Sequence, residues 1–128
     1  MDQKKLLKYA VDYLSKYDSS KVNLVNVLKR KILRLKTTNY EKNKLINIIE
    51  SIIIKLEKNK FIDDDRYSST KILSLSNSGK SKNFIFNYLI KRGVNKSQIQ
   101  YNLNLVQQNN DDWELNSAKI FAKKNKLL

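Results

Sequence analysis

The chain has 128 residues, room for one domain or a few small modules, and carries 26 Lys and Arg against 12 Asp and Glu, a formal charge of +14. It contains no Cys and no His, which excludes disulfides, thiol nucleophiles, Cys-based zinc sites and every Ser-His-Asp arrangement. With no Pro and only two Gly, Gly-rich phosphate cradles and tight β-hairpins are nearly excluded too.

Apolar residues recur at helical spacing from the start. Leu6, Ala10, Tyr13, Leu14 and Tyr17 share one face, which predicts a first helix from about Asp2 to Lys16. Asp18, Ser19 or Ser20 can cap a second helix bearing Leu24, Val27, Leu28, Ile32 and Leu35. Thr37, Thr38 and Asn39 form a polar break and offer caps for a third, running to about Lys58 with Leu45, Ile49, Ile52, Ile53 and Leu56 inward. The run Ile52-Ile53-Ile54 alone suits a strand, but its flanks keep the helical period. Carboxylates cluster at Asp63-Asp64-Asp65, where they complement the positive dipole of a fourth helix ending near Gly79. Ser81 can cap a fifth helix with Phe84, Ile85, Tyr88 and Leu89, ending at Gly93, and Asn95 a sixth with Ile99, Leu103 and Val106. Asp111 and Asp112 precede a seventh with Trp113, Ala118, Phe121 and Ala122.

The pieces repeat. Ser20, Leu24, Leu28 and Lys31 match Ser81, Ile85, Leu89 and Arg92 at a constant offset, and each helix ends in a basic run. The pattern predicts an all-α, elongated array of tandem three-helix, helix-turn-helix-like modules: residues 1–62, 63–110, and 111–128 as the first helix of an incomplete third. Lys29, Arg30, Lys31 and Arg34, with Lys91, Arg92, Lys123 and Lys124, recur at matching places, so stacking could align them into one basic stripe. The alternative is a set of solvated helix C-termini, where Lys and Arg are common.

The sharper chemical readings fail. The carboxylate cluster lacks the His or second acidic group that a metal site needs. Ser78-Gly79-Lys80-Ser81 lacks the first Gly of a phosphate loop, since position 74 is Ser74. Tyr9, Tyr13, Tyr17, Tyr88 and Tyr101 could stack on unpaired bases, but at helical spacing such rings are more often core residues with a polar tip outside. A charge this large permits a polyanionic partner. Yet 22 Lys against 4 Arg, with 16 Asn and 13 Ile, also fits A/T-rich coding, and phosphate forks favour Arg. No apolar h-region follows Met1 to Lys5, and Leu45 to Leu56 is too short and polar to span a bilayer. The expectation is a cytoplasmic, non-catalytic helical protein without cofactor or metal.

At this point the residues resemble the RecX family of bacterial recombination regulators. Asn59-Lys60-Phe61-Ile62-Asp63-Asp64-Asp65-Arg66-Tyr67 is similar to that family's G-hydrophobic-hydrophobic-D-D-x-R-aromatic junction, with Phe61, Asp63, Asp64, Arg66 and Tyr67 as structural junction residues. Ile85 to Val94 is similar to its I-x-x-x-L-x-x-[KR]-G-hydrophobic turn, and Trp113, Ala118, Ala122, Lys123 and Lys124 to the opening of its third module. The family's Gly is replaced by Asn59 and by Ile32, and Lys36 to Lys44 is longer than the usual connection. The resemblance implies a monomeric regulator that binds RecA filaments on DNA and inhibits RecA's ATPase, strand exchange and coprotease activities. Its own binding to single-stranded or duplex DNA is expected to be weak and non-specific. The rivals are a duplex-DNA binder of helix-turn-helix type and a helical scaffold whose basicity reflects coding bias.

Overall fold

The structure, a computed structural model, describes residues 1–108, which form seven α-helices and no strand. They run as α1 Gln3–Lys16, α2 Lys21–Leu33, α3 Asn39–Asn47, α4 Ile49–Lys58, α5 Asp64–Asn77, α6 Lys82–Lys91 and α7 Lys96–Gln108. Among the described residues, no helix is long and apolar enough to cross a membrane. The chain divides into two compact units between Asp64 and Asp65. The seventh predicted helix, with Trp113, Lys123 and Lys124, lies outside the described residues.

Short polar side chains start the helices by accepting first-turn N–H groups that have no intrahelical partner. Asp2 takes the Lys5 N–H, Ser20 that of Asn23, Thr38 that of Glu41 and Ser81 that of Phe84. In the first unit, Leu6 and Ala10 of α1 pack with Leu24, Leu28 and Ile32 of α2, Leu45 of α3, and Ile49, Ile52, Ile53 and Leu56 of α4. Tyr13 and Leu14 only flank this core, and Tyr17, past the end of α1, is 57% exposed. In the second unit the core is Tyr67 and Ile72 of α5, Ile85 and Leu89 of α6, Val94, and Ile99 and Leu103 of α7. Fully burying a Leu or Ile side chain contributes about 1.5–3 kcal/mol, so these two clusters are what hold the helices.

Three local differences from the sequence expectation have physical reasons. The helix expected from the Thr37–Asn39 break to Lys58 is divided at Ile48, whose N–H bonds to the Leu45 carbonyl at 3.2 Å in a tightened turn. The Ser51 hydroxyl donates to the Ile48 carbonyl at 2.8 Å, the kind of back-bonding that bends helices. At the end of α4 the left-handed residue is Lys60, with φ 63°, not Asn59 with φ −90°. Lys60 N–H bonds to Glu57 and Phe61 N–H to Leu56, the same pair of bonds that Gly79 and Gly93 make at the ends of α5 and α6. Finally, Ile32 does not stop α2 as Gly93 stops α6; it is fully buried within the helix.

Candidate functional site

In the first unit, the basic end of α2 is built on a buried floor. Leu28 and Ile32 face the core, which turns Lys29, Arg30 and Arg34 outward, all three exposed. Arg34 is the C-cap of α2, and its N–H reaches the Arg30 carbonyl at 3.2 Å. Lys42 from α3 donates its Nζ to the Leu33 carbonyl at 3.1 Å, so a fourth cation satisfies the helix end. Lys31 is set apart: it is half-buried, with its Nζ over the Tyr9 ring at 5.0 Å from the centroid. What the exposed cations provide is a cluster of positive charge able to meet carboxylates or phosphates.

In the second unit, Lys91 is exposed and Arg92 is half-buried. The Arg92 guanidinium lies 3.5 Å from the centroid of the Tyr88 ring, and its Nη1 donates to the Tyr88 carbonyl at 3.2 Å. Phe84 is 45% exposed, with the Lys80 Nζ 4.8 Å from its ring centroid. The Phe84 and Tyr88 rings are stacked, 6.4 Å apart and 26° from parallel. A row of cation, ring, ring and cation therefore follows α6 at four-residue intervals, the spacing that places side chains on one helical face. That spacing was the signal available in the sequence. Of the other tyrosines, Tyr9 and Tyr13 are half-buried, while Tyr101 is 63% exposed.

The acidic junction also does work that the sequence did not disclose. Asp64 stands at the first position of α5, yet its Oδ1 accepts from the Lys21 N–H, at the start of α2, at 2.8 Å. Lys21 completes the corner through an ion pair, Nζ to Glu57 Oε2 at 2.9 Å. The hydrogen bond that its ammonium donates to Glu57 raises the Lys21 pKa above its ordinary value. Burial raises the Asp64 carboxyl above its ordinary value against the opposing pull of the Lys21 N–H and ammonium. Asp65 accepts from Asn102 Nδ2 at 3.0 Å, tying α5 to α7 within the second unit. Ile62 and Tyr67 are buried, whereas Phe61 is 50% exposed and Asp63 and Arg66 are exposed. Among the described residues no group of three acidic side chains is gathered as a metal would require. The junction is thus a clasp between helix ends, made by partners 43 residues apart that no local pattern could pair.

The chain is 29% identical, over 119 residues, to the protein named regulatory protein RecX of Myxococcus xanthus, a match that covers 92% of this chain. The matched region spans 63% of that relative's length. No protein-family model matches the chain, and no solved structure matches it significantly.

Proposed function

We infer that the chain is a member of the RecX family, and we propose that it is a non-enzymatic negative regulator that binds RecA filaments on DNA in the cytoplasm. The observation that carries the reading is the likeness to a regulatory protein RecX over 92% of the chain. The all-helical fold and the exposed cations at the end of α2 support it. In this reading the two units are tandem modules, and the basic helix ends at Lys29, Arg30 and Arg34 and at Lys91 and Arg92 meet filament carboxylates and DNA phosphates. Lys31 contributes through Tyr9 rather than directly. Bridging adjacent RecA protomers would then block filament extension and the cycle of ATP hydrolysis. Inhibition of the ATPase, of strand exchange and of coprotease activity would follow from one binding event.

The test is the ATPase rate of the cognate RecA on single-stranded DNA with increasing amounts of the chain. Lys29→Glu with Arg30→Glu should weaken inhibition, whereas Lys55→Glu with Lys58→Glu should weaken it far less. Lys55 and Lys58 lie in the last turn of α4 and Arg30 in that of α2, so both pairs perturb a helix end by a small amount, about 0.3–1 kcal/mol per last-turn charge. An unchanged ATPase with excess wild-type chain would refute the regulator reading. Equal losses from the two pairs would refute the site while leaving the regulator.

A further inference from the structure

The face of α6 that the core does not use brings two rings and two cations together. Beside it lies a groove of about 310 Å³, lined by Phe84, Asn87, Tyr88, Lys91 and Arg92. Both rings are at least partly open to solvent, and the guanidinium is laid flat on Tyr88 at 3.5 Å. Among the described residues no acidic side chain lines the groove, and residues 66–110 as a whole contain seven Lys or Arg and no Asp or Glu. An acidic peptide would be met by such charge alone and would leave the rings without a role. A purely apolar partner would strand the cations. A nucleobase with its phosphates uses all of it.

We propose that the α6 groove is a stacking site for an unpaired base of single-stranded DNA. The base lies against Phe84 and the guanidinium face of Arg92, which Tyr88 holds planar and oriented. Arg planes and aromatic rings are the two surfaces on which extruded bases stack in known recognition modes. The Asn87 amide, with one acceptor and two donors, faces the base edge and can serve any base, so sequence preference is weak. Lys91, exposed at the groove margin, meets the adjoining phosphate. The choice of DNA as the nucleic acid rests on the RecA-filament reading, but the site itself does not need RecA. It would add a component to DNA binding that salt does not screen, beyond the weak electrostatic binding expected from net charge alone.

The experiment uses the full chain without RecA, and fluorescence anisotropy of a short labelled oligothymidylate across a salt series. Phe84→Ala should weaken binding roughly 5- to 150-fold, the range reported for removing one stacked base contact, with the salt slope unchanged. Lys91→Gln should instead lower the slope by about 0.7 with a smaller loss at high salt. Phe84→Trp should retain binding, and its emission should be quenched by the oligonucleotide. Far-UV circular dichroism establishes that Phe84→Ala is folded; exposed Phe84 carries little of the core. Affinity for the oligonucleotide unaltered by Phe84→Ala overturns the proposal, as does wild-type binding that vanishes at high salt. A duplex of the same sequence bound as tightly and as sensitively to Phe84→Ala overturns it too, because its bases are not free to stack. Loss of oligonucleotide stacking with RecA inhibition intact would overturn the stacking site's role on the filament, leaving the regulator reading untouched.

Discussion

Asp64 offers a direct test of how the junction works, because substitution can separate its hydrogen bond from its charge. Asp64→Ala removes the acceptor 2.8 Å from the Lys21 N–H. Losing a helix-capping acceptor costs about 0.5–2 kcal/mol, and leaving a part-buried donor unpaired adds to the upper end, so a loss of about 1–2 kcal/mol is expected. Asp64→Asn keeps an oxygen acceptor at the same place and discards the charge. The dipole of α2 favours that charge by about 0.3–1 kcal/mol. Desolvation, with Glu57 and Asp63 nearby, opposes it, and the raised pKa says that desolvation prevails. Asp64→Asn should therefore be as stable as the wild type at neutral pH, or more stable. The sign follows from proton binding: with a pKa higher in the folded than the unfolded chain, the folded state holds more protons in the window between them. The Asp64 contribution is thus present at acid pH and is lost as pH rises from the ordinary carboxylate value, 3.8, through the raised one. Urea unfolding followed by far-UV circular dichroism across that window measures all three proteins. Asp64→Asn as damaging at neutral pH as Asp64→Ala would show that charge on the dipole, not the hydrogen bond, makes the clasp.

Lys60→Gly should stabilise the chain by about 0.5–1 kcal/mol, since a left-handed non-Gly residue costs about 1–2 kcal/mol and the added freedom of Gly when unfolded returns part of it. Asn59→Gly, at an ordinary φ, should destabilise it in the same melts. Ser68 is fully buried, and its Oγ has no hydrogen-bond partner among the described residues, so Ser68→Ala should be neutral or stabilising by up to about 1–2 kcal/mol; a loss above 1 kcal/mol would reveal a partner. Leu28→Ala and Leu89→Ala, both at fully buried positions, should each cost about 2–5 kcal/mol, read from the urea midpoint. Glu57→Gln should change stability by no more than about 1 kcal/mol, because its ion pair with Lys21 is substantially exposed, and the small effect should fade with added salt.

What the sequence disclosed was whatever local physics determines. The positions Leu24, Val27, Leu28 and Ile32 face inward because they share a helical face across α2; Ser81 was legible as a cap, while Ser20 and Thr38 were each one of several candidates. Phe84 defeated the same reasoning. Phe84-Ile85-Phe86 and Tyr88-Leu89-Ile90 put apolar side chains all round α6, so period cannot tell the core face from the open one. The core took Ile85 and Leu89 with Phe86 and Tyr88 packed at its edge, and Phe84 went to the surface. The division at Ile48 is accompanied by a hydroxyl-to-carbonyl bond from Ser51 that composition does not announce. The Asp64–Lys21 contact joins segments with no shared pattern, and only the packed chain brings them together.

The matched positions also constrain how far the two basic helix ends can be treated as copies. Ser20 and Ser81 cap alike, Leu24 and Ile85 are both fully buried, and Leu28 and Leu89 likewise, so the first half of each helix is shared. The second half is not. Because Ile32 prolongs α2 where Gly93 ends α6, Lys31 remains inside its helix and crosses to Tyr9 of α1, while Arg92 becomes a C-cap and folds back on Tyr88 of its own helix. One end is left with Lys29, Arg30 and Arg34 as extended, solvated charges, whose attraction falls with salt and has little shape. The other presents a planar guanidinium already oriented by a ring, which discriminates by geometry. On the proposed reading, the difference between Ile32 and Gly93 at the helix stop separates two roles that the repeat alone would make equal. The α2 end suits a broad acidic surface, and the α6 end suits a flat group inserted edgewise. Ile32→Gly would probe the division only through an unstable core, so the discriminating comparison is salt dependence: variants at Lys29 and Arg30 should change its slope, and Phe84→Ala should leave that slope alone.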